Sequence, residues 1–240
     1  MHHHSLPTLP DYQLKVPRTL QLLILAGALV GIFSFFLFLE SQPLLASLLL
    51  VVALVIGGAG LLLFIIIDPQ GRQRAQQQMI GAVNWNGAEQ VLDVGCGNGI
   101  VTLAAAQHLT AGKGKALGID IWVESSGDQT AQTFWKNAAL EGVKDRVDLQ
   151  QVDARRMPFA EASFDVIFAS LSLHHMGTAA DRQQAAREML RVLKPGGSIL
   201  IYDVLPIANG AAHTLRDLGA DKADRLSGML MRTLRIQKPR

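Results

Sequence analysis

Two long stretches of the chain contain no charged side chain. Residues 19–39 and 41–67 are almost entirely apolar, and each is at least as long as the roughly 20 residues that a helix needs to cross a membrane. A polar segment that ends in a proline, Glu40-Ser41-Gln42-Pro43, separates them. The pattern predicts a transmembrane helical hairpin over residues 19–67, preceded by an N-terminal segment over residues 1–18.

Basic residues flank this predicted hairpin, and its turn has none. Lys15 and Arg18 precede it, and Arg72 and Arg74 follow it. Because cytoplasmic loops are rich in Lys and Arg, we expect both termini and the rest of the chain in the cytoplasm, with the hairpin in a membrane such as the bacterial inner membrane. A signal peptide is the alternative, but the first stretch is long for one, no small-x-small site follows, and a second stretch comes at once.

Glycines recur in both stretches at positions that favour close helix packing. Gly27 and Gly31 form a small-xxx-small pair, and Gly57, Gly58 and Gly60 lie in the second stretch. Small residues let helix backbones approach one another in lipid, so these two groups of glycines are predicted to face each other. The alternative is that glycine is simply commoner in membrane helices.

After the hairpin, strand-like and helix-like patterns alternate. A linker over residues 68–86 carries Met79, Ile80 and Val83 at helical spacing, which predicts an amphipathic helix. A domain over residues 87–240 follows, in which strands are predicted at 91–94, 115–121, 146–152, 164–170 and 198–204, and helices at 100–109, 128–140, 179–193 and 211–218. This alternation favours an α/β domain with a doubly wound, mostly parallel sheet. The tail, residues 222–227 and 232–237, is predicted to form a hairpin that turns near Gly228.

The first strand of the domain ends at a glycine-rich turn. Asp93 lies in the predicted buried strand, and Gly95, Gly97 and Gly99 follow it before a helix begins. Strand, glycine turn and helix in this order place backbone N–H groups and a helix N-terminus around a small ligand. A dinucleotide fingerprint would have its third glycine where Ile100 stands.

The row Asp-x-Gly-x-Gly-x-Gly resembles motif I of the class I S-adenosylmethionine-dependent methyltransferases, in their methyltransferase type 11-like form. Residues 163–170 and 191–197 resemble later motifs of the same family, so the resemblance extends over residues 75–238. It implies a seven-stranded, mostly parallel sheet with S-adenosyl-L-methionine as the cofactor.

The resemblance also implies roles for acidic residues at the carboxyl ends of three strands. Asp93 braces the glycine turn or meets the methionine ammonium of the cofactor through a water molecule. Asp120 accepts the ribose hydroxyls, unless it is a solvated loop acid, and an NAD-binding protein would also have an acid there. Asp153 contacts the adenine amino group, unless it caps a helix, and Ile121 packs on the adenine. The other predicted cofactor-binding residues are Gly95, Cys96, Gly97, Gly99, Ala154 and Ser170.

The reaction that the family catalyses is a direct displacement that needs no covalent enzyme intermediate, and a base is optional. His175, with His174 beside it, is the predicted catalytic base, because both histidines follow the fourth strand. The alternative is that one histidine caps the loop and the other is solvated. Cys96 meets a need for a small side chain and is not predicted to be a nucleophile. No metal site is predicted, because the histidines lack an obvious third ligand.

Composition agrees with these predictions. The chain is 49% hydrophobic with a mean hydropathy of +0.24, which is high for a soluble domain. Its net charge of +2 is too small to indicate a nucleic-acid-binding protein, and its single cysteine cannot form an internal disulfide. The prediction is a membrane-anchored methyltransferase with a small-molecule or lipid acceptor. The alternatives are a membrane protein that only senses S-adenosylmethionine and a nucleotide-dependent oxidoreductase.

Overall fold

The computed structural model describes residues 18–40, 43–67, 69–121, 131–221, 223–227 and 231–240. The chain divides into two compact units, one within Gln13–Arg72 and the other containing Gln73–Arg240. Lys15 and Gly228 lie outside the described residues, as do residues 128–130 of a predicted helix.

The first unit is a pair of helices, α1 (Arg18–Leu39) and α2 (Pro43–Ile67). Their backbones approach closely at Gly27, where an added Cβ would lie 3.0 Å from the nitrogen of Gly57. This contact agrees with the predicted packing at Gly27 and Gly57, whereas an added Cβ on Gly31 would meet Ala53 at 3.7 Å and one on Gly58 would meet nothing within 4 Å. The hydroxyl of Ser34 also crosses between the helices and donates to the carbonyl oxygen of Ala46 over 2.6 Å.

Large apolar side chains of both helices face outward. Leu29 is 64% exposed and Leu54 is 66% exposed, and the phenylalanines near the end of α1 are similarly open. Over the residues whose placement the structure describes, no helix combines the length and the apolar character that a membrane crossing requires. That finding does not support the predicted transmembrane spans, which stay predictions.

The domain is built on one seven-stranded sheet with the order β3-β2-β1-β4-β5-β7-β6. Its strands are β1 (Gln90–Val94), β2 (Lys115–Asp120), β3 (Val147–Gln151), β4 (Phe164–Ser170), β5 (Leu193–Val204), β6 (Asp224–Ser227) and β7 (Met231–Gln237). The first five are parallel, and β7 runs antiparallel to both β5 and β6. The predicted sheet and the predicted C-terminal hairpin are therefore confirmed.

Helices cover both faces of this sheet because successive strand residues point to opposite sides. Leu92 lies in the core layer under α6 (Ala179–Val192) and α7 (Leu205–Asp217), whereas its neighbour Val91 lies in the layer under the other helices. Those helices are α3 (Pro69–Gly81), α4 (Ile100–Ala106) and α5 (Ala131–Leu140). The α3 side chains Met79 and Ile80 are buried, whereas Val83, the third residue of the predicted apolar face, lies beyond the end of this helix.

Element boundaries differ from the prediction by about five residues in three places and by fewer elsewhere. The helix α3 ends at Gly81, before the predicted 86, and the Trp85 indole N–H donates back to the carbonyl oxygen of Ile80 over 2.9 Å. The helix α7 begins at Leu205 rather than at 211, and Pro206 lies in its first turn, where proline is tolerated. The strand β5 begins at Leu193, which pairs with Phe164 before an irregularity in the register.

Candidate active site

The turn after β1 requires glycine at its bends. Gly95, Gly97 and Gly99 have φ values of 71°, 53° and 93°, in the left-handed region that other residues rarely adopt. An added Cβ on Gly95 would lie only 2.3 Å from the Cβ of Ser172, in the segment after β4. The N–H groups of Gly95 and Cys96 both donate to the carbonyl oxygen of Ile119, over 2.8 and 3.1 Å. The turn is therefore held against β2 on one side and against Ser172 on the other.

Asp93 is a buried carboxyl group with one oxygen that has no hydrogen-bond partner. It is 2% exposed, and its Oδ2 accepts a hydrogen bond from the Thr102 hydroxyl over 2.6 Å. Its Oδ1 is buried without a hydrogen-bond partner. Burial raises the pKa of Asp93 from 3.8 to about 7, Thr102 opposes that rise, and the nearby charge of Asp120 adds to it. An unpaired buried carboxylate of this kind favours a cationic donor as its partner.

Asp120 lies at the end of β2, where the sequence placed it. Its Oδ2 accepts the N–H of Gly97 over 2.9 Å, so the half-buried carboxylate braces the glycine turn. Ile121 follows directly and is 52% exposed. A branched apolar side chain this open beside a carboxylate is available to pack on a ligand.

Asp153 follows β3 and is engaged by Arg155. The guanidinium contacts both carboxylate oxygens, with Nη2 2.6 Å from Oδ2 and Nε 3.0 Å from Oδ1, and it reaches Asp181 over 2.8 Å. Hydrogen bonding by Arg155 lowers the pKa of Asp153. The Arg155 N–H also donates to Asp153 over 2.9 Å, so the residue caps a turn rather than a helix. Ala154 is buried, and the predicted adenine contact of Asp153 stays a prediction.

A fourth acid lies near the carboxyl end of a parallel strand, on the other side of β1. Asp203, near the end of β5, is fully buried and contacts the imidazole of His174, with Nδ1 2.9 Å from Oδ1. It also accepts the backbone N–H groups of His174 and Val204 over 3.2 and 2.8 Å. The sequence reasoning missed Asp203, although it terminates an apolar strand just as Asp120 does. The ring of His175 lies beside that of His174, with centroids 4.0 Å apart.

Cys96 and Ser170, two of the other predicted cofactor-binding residues, are at least partly buried. Cys96 is buried, and an added Cβ on Gly118 would lie 2.7 Å from its sulfur, which agrees with a demand for a small side chain. Burial raises the pKa of the Cys96 thiol, so a nucleophilic thiolate is disfavoured. Ser170 is half-buried at the end of β4 and pairs with Tyr202. Among the described residues, no group of three His, Cys, Asp or Glu side chains could hold a metal ion.

Comparison with known proteins agrees with this arrangement. Residues 92–201 match the family described as a methyltransferase domain. The chain is 34% identical over 154 residues to the 27-O-demethylrifamycin SV methyltransferase of Amycolatopsis mediterranei, which covers 61% of this chain and 52% of the relative. It is 33% identical over 129 residues to the ubiquinone/menaquinone biosynthesis C-methyltransferase UbiE of Shewanella sediminis, covering 54% and 48%. The chain thus spans about half the length of these relatives.

Among solved structures, the [4+2]-cyclase SpnF is similar with a TM-score of 0.59 at 21% identity, over 71% of this chain and 82% of that chain. At this identity the likeness shows the fold alone. The family matched over residues 92–201 and both named relatives are methyltransferases, and each is similar to part of this chain.

Proposed function

We propose that this chain is a membrane-anchored methyltransferase that uses S-adenosylmethionine to methylate a lipophilic small molecule on the cytoplasmic side. The observation that carries the proposal is the buried Oδ1 of Asp93, which has no hydrogen-bond partner and lies in the strand that leads into a positive-φ glycine turn within the matched domain. A site that offers one buried acceptor and a close-approaching backbone suits a ligand with a cationic amino acid end.

The residues present fit S-adenosylmethionine along its length. The molecule supplies, when bound, a methyl group on a positively charged sulfur. Asp93 would accept from its ammonium group and Asp120 from its ribose hydroxyls, while the exposed Ile121 would cover the adenine. Asp153 can share its carboxylate with the adenine amino group only if Arg155 yields part of its contact, because both oxygens already accept from Arg155.

Two kinds of support favour a lipophilic acceptor. One relative is named as the methyltransferase of 27-O-demethylrifamycin SV, and the other as a C-methyltransferase of ubiquinone and menaquinone biosynthesis. In addition, the sequence of the hairpin is uncharged over residues 19–39 and 41–67, and its large apolar side chains face outward. An exposed apolar surface of this extent marks a membrane or protein contact. Anchoring in a membrane would keep acceptors that partition into lipid within reach of the domain.

Calorimetry with the full chain in detergent tests the cofactor. We expect heat on addition of S-adenosylmethionine and none with NAD, and incubation with radiolabelled S-adenosylmethionine and a membrane extract should give a labelled organic product. Binding of NAD instead would favour the oxidoreductase. Binding of S-adenosylmethionine with no labelled product from any membrane extract would favour a sensor.

Cysteine labelling in intact cells tests the anchor. The only native cysteine is buried, so a cysteine introduced by E40C in the turn would be the reactive one. We expect an impermeant thiol reagent to label E40C from outside, and to label the matched variant K144C, on the domain surface, only after lysis. Equal labelling of both variants, or recovery of the protein without membranes, would contradict the proposed topology.

A further inference from the structure

We propose that His174 is the general base of the methyl transfer and that Asp203 is its positioning residue. The proposal rests on the proposed function and narrows its substrate class. The acceptor is a group that must lose a proton on methylation, either a hydroxyl or an acidic C–H. The role moves from His175, the residue that the sequence favours, to its neighbour.

The contacts of Asp203 assign the proton on the imidazole. This carboxyl group is fully buried and accepts two backbone N–H groups, from His174 and Val204. A carboxylate held in this way acts as an acceptor, so Nδ1 of His174 carries the hydrogen that spans the 2.9 Å contact. The second ring nitrogen, Nε2, then has a free lone pair. The imidazole is 32% exposed, which leaves it accessible to a substrate.

The pair lies at the same sheet edge as the glycine turn. Ser172 fills the space in front of Gly95, and His174 follows Ser172 by two residues. The strand β1 has β2 on one side and β4 on the other. Asp120 and Asp153, the acids proposed for the ribose and adenine, lie on the β2 side, whereas His174 and Asp203 lie on the β4 and β5 side. A ligand extended across this edge therefore has its reacting end toward His174.

A neutral acceptor needs a base for a simple electronic reason. As the acceptor oxygen or carbon forms its bond to the methyl carbon, the methyl–sulfur bond breaks and the sulfur keeps the electron pair. Nε2 of His174 takes the proton that the acceptor loses, and the resulting imidazolium faces the carboxylate of Asp203. Without a base, an oxygen acceptor would have to carry a positive charge through the step. A positioned base of this type contributes roughly 100- to 10,000-fold in rate.

The chain offers a matched control for this pair. His213 and Asp217, on α7, make the same Nδ1 to carboxylate contact over 2.8 Å, but both side chains are largely exposed. With radiolabelled S-adenosylmethionine and the membrane extract as acceptor, we expect H174Q to lower the initial rate by roughly 100-fold or more. Its dissociation constant for S-adenosylmethionine should stay within twofold of the parent chain, and H213Q should change neither quantity.

A spectroscopic readout tests the geometry without turnover. In the full chain without ligand, we expect a downfield proton resonance from the Nδ1–H of His174 that disappears in D203N and remains in D217N. An H174Q variant that methylates at the parental rate, or a His174 resonance that survives in D203N, would overturn the proposal. If the parent chain bound no S-adenosylmethionine, the proposed function would fail instead, and the resonance would still report on the pair.

Discussion

Asp93 should destabilise the domain at neutral pH, and replacing it should reveal by how much. Its pKa of about 7 in the folded chain compares with 3.8 for an ordinary aspartate. In the unfolded chain the carboxyl group ionises near pH 4, while in the folded chain it stays protonated until pH 7. The free energy of unfolding therefore falls by a total of about 4 kcal/mol as the pH rises from about 4 to 7, and it is level above pH 7.

The variant D93N removes the ionisation and keeps the shape. Its side-chain oxygen can still accept from Thr102, whose hydroxyl lies 2.6 Å from Oδ2 in the parent chain. Its amide group places an unpaired donor where Oδ1 now lies, which costs about 1–3 kcal/mol. We expect D93N to be about 1–3 kcal/mol more stable than the parent at pH 8. That difference should shrink by about 2.5 kcal/mol at pH 5, where most of the parental penalty is absent.

Urea unfolding of the full chain in detergent measures both values. Tryptophan fluorescence reports on the domain alone, because Trp85, Trp122 and Trp135 all follow the hairpin in sequence. Calorimetry on the same samples should show that D93N binds S-adenosylmethionine at least about tenfold more weakly, since the acceptor for the ammonium group has become a donor. A D93N stability difference that did not change between pH 5 and pH 8 would refute the reasoning, and D148N, at an exposed ion pair, is the control.

Four further outcomes follow from the same contacts. Binding of S-adenosylmethionine by the parent chain should release protons below pH 7, because a cationic partner favours the ionised Asp93. Calorimetry in buffers of different ionisation enthalpy counts the released protons, and equal heats in all buffers would contradict the prediction. G95A should bind S-adenosylmethionine at least about tenfold more weakly, since its Cβ would meet Ser172 at 2.3 Å. G112A, with a similar φ of 76° and nothing within 4 Å, should bind as the parent does. D120N should weaken binding roughly 10- to 100-fold by loss of a charge-assisted contact, with D148N unchanged in calorimetry. G27A should lower the melting temperature of the hairpin followed by circular dichroism, because its Cβ would lie 3.0 Å from Gly57, whereas G58A meets nothing within 4 Å and should not.

Most of the sheet could be predicted because each of its strands carries a local signal. The apolar run Phe164–Ser170 has no helical spacing, and it forms β4 with the predicted bounds. Helix starts were harder, as α7 shows: Val204-Leu205-Pro206-Ile207 resembles the end of a strand, yet the helix begins there. What decides that start is tertiary, since Ala208, Ala211 and Leu215 are buried against the sheet.

The candidate site divides in the same way between local and distant contacts. The glycine turn and Asp120 could be predicted because short-range motifs carry them, and the structure joins them through one hydrogen bond over 2.9 Å. Arg155 binds Asp153 from only two residues away, but the contact depends on the conformation of the arginine side chain, which no sequence pattern indicates. The pairing of His174 with Asp203 joins residues 29 positions apart, one in the short helical turn after β4 and the other near the end of β5, so it depends on β4 and β5 being neighbours in the sheet.

The two sides of the sheet edge serve different parts of the proposed function, the binding of the cofactor and the choice of acceptor. The β2 side of the sheet edge carries the glycine turn and Asp120, to which the proposed function assigns the binding of the cofactor. On the β4 and β5 side, His174 belongs to the segment that follows β4, and connecting segments of this kind vary while the scaffold stays. The similarity of the fold to the [4+2]-cyclase SpnF makes the same point, because the fold alone does not determine the reaction. The acceptor of this chain should therefore be sought with variants around His174 and Asp203, where a change alters turnover and leaves cofactor binding in place.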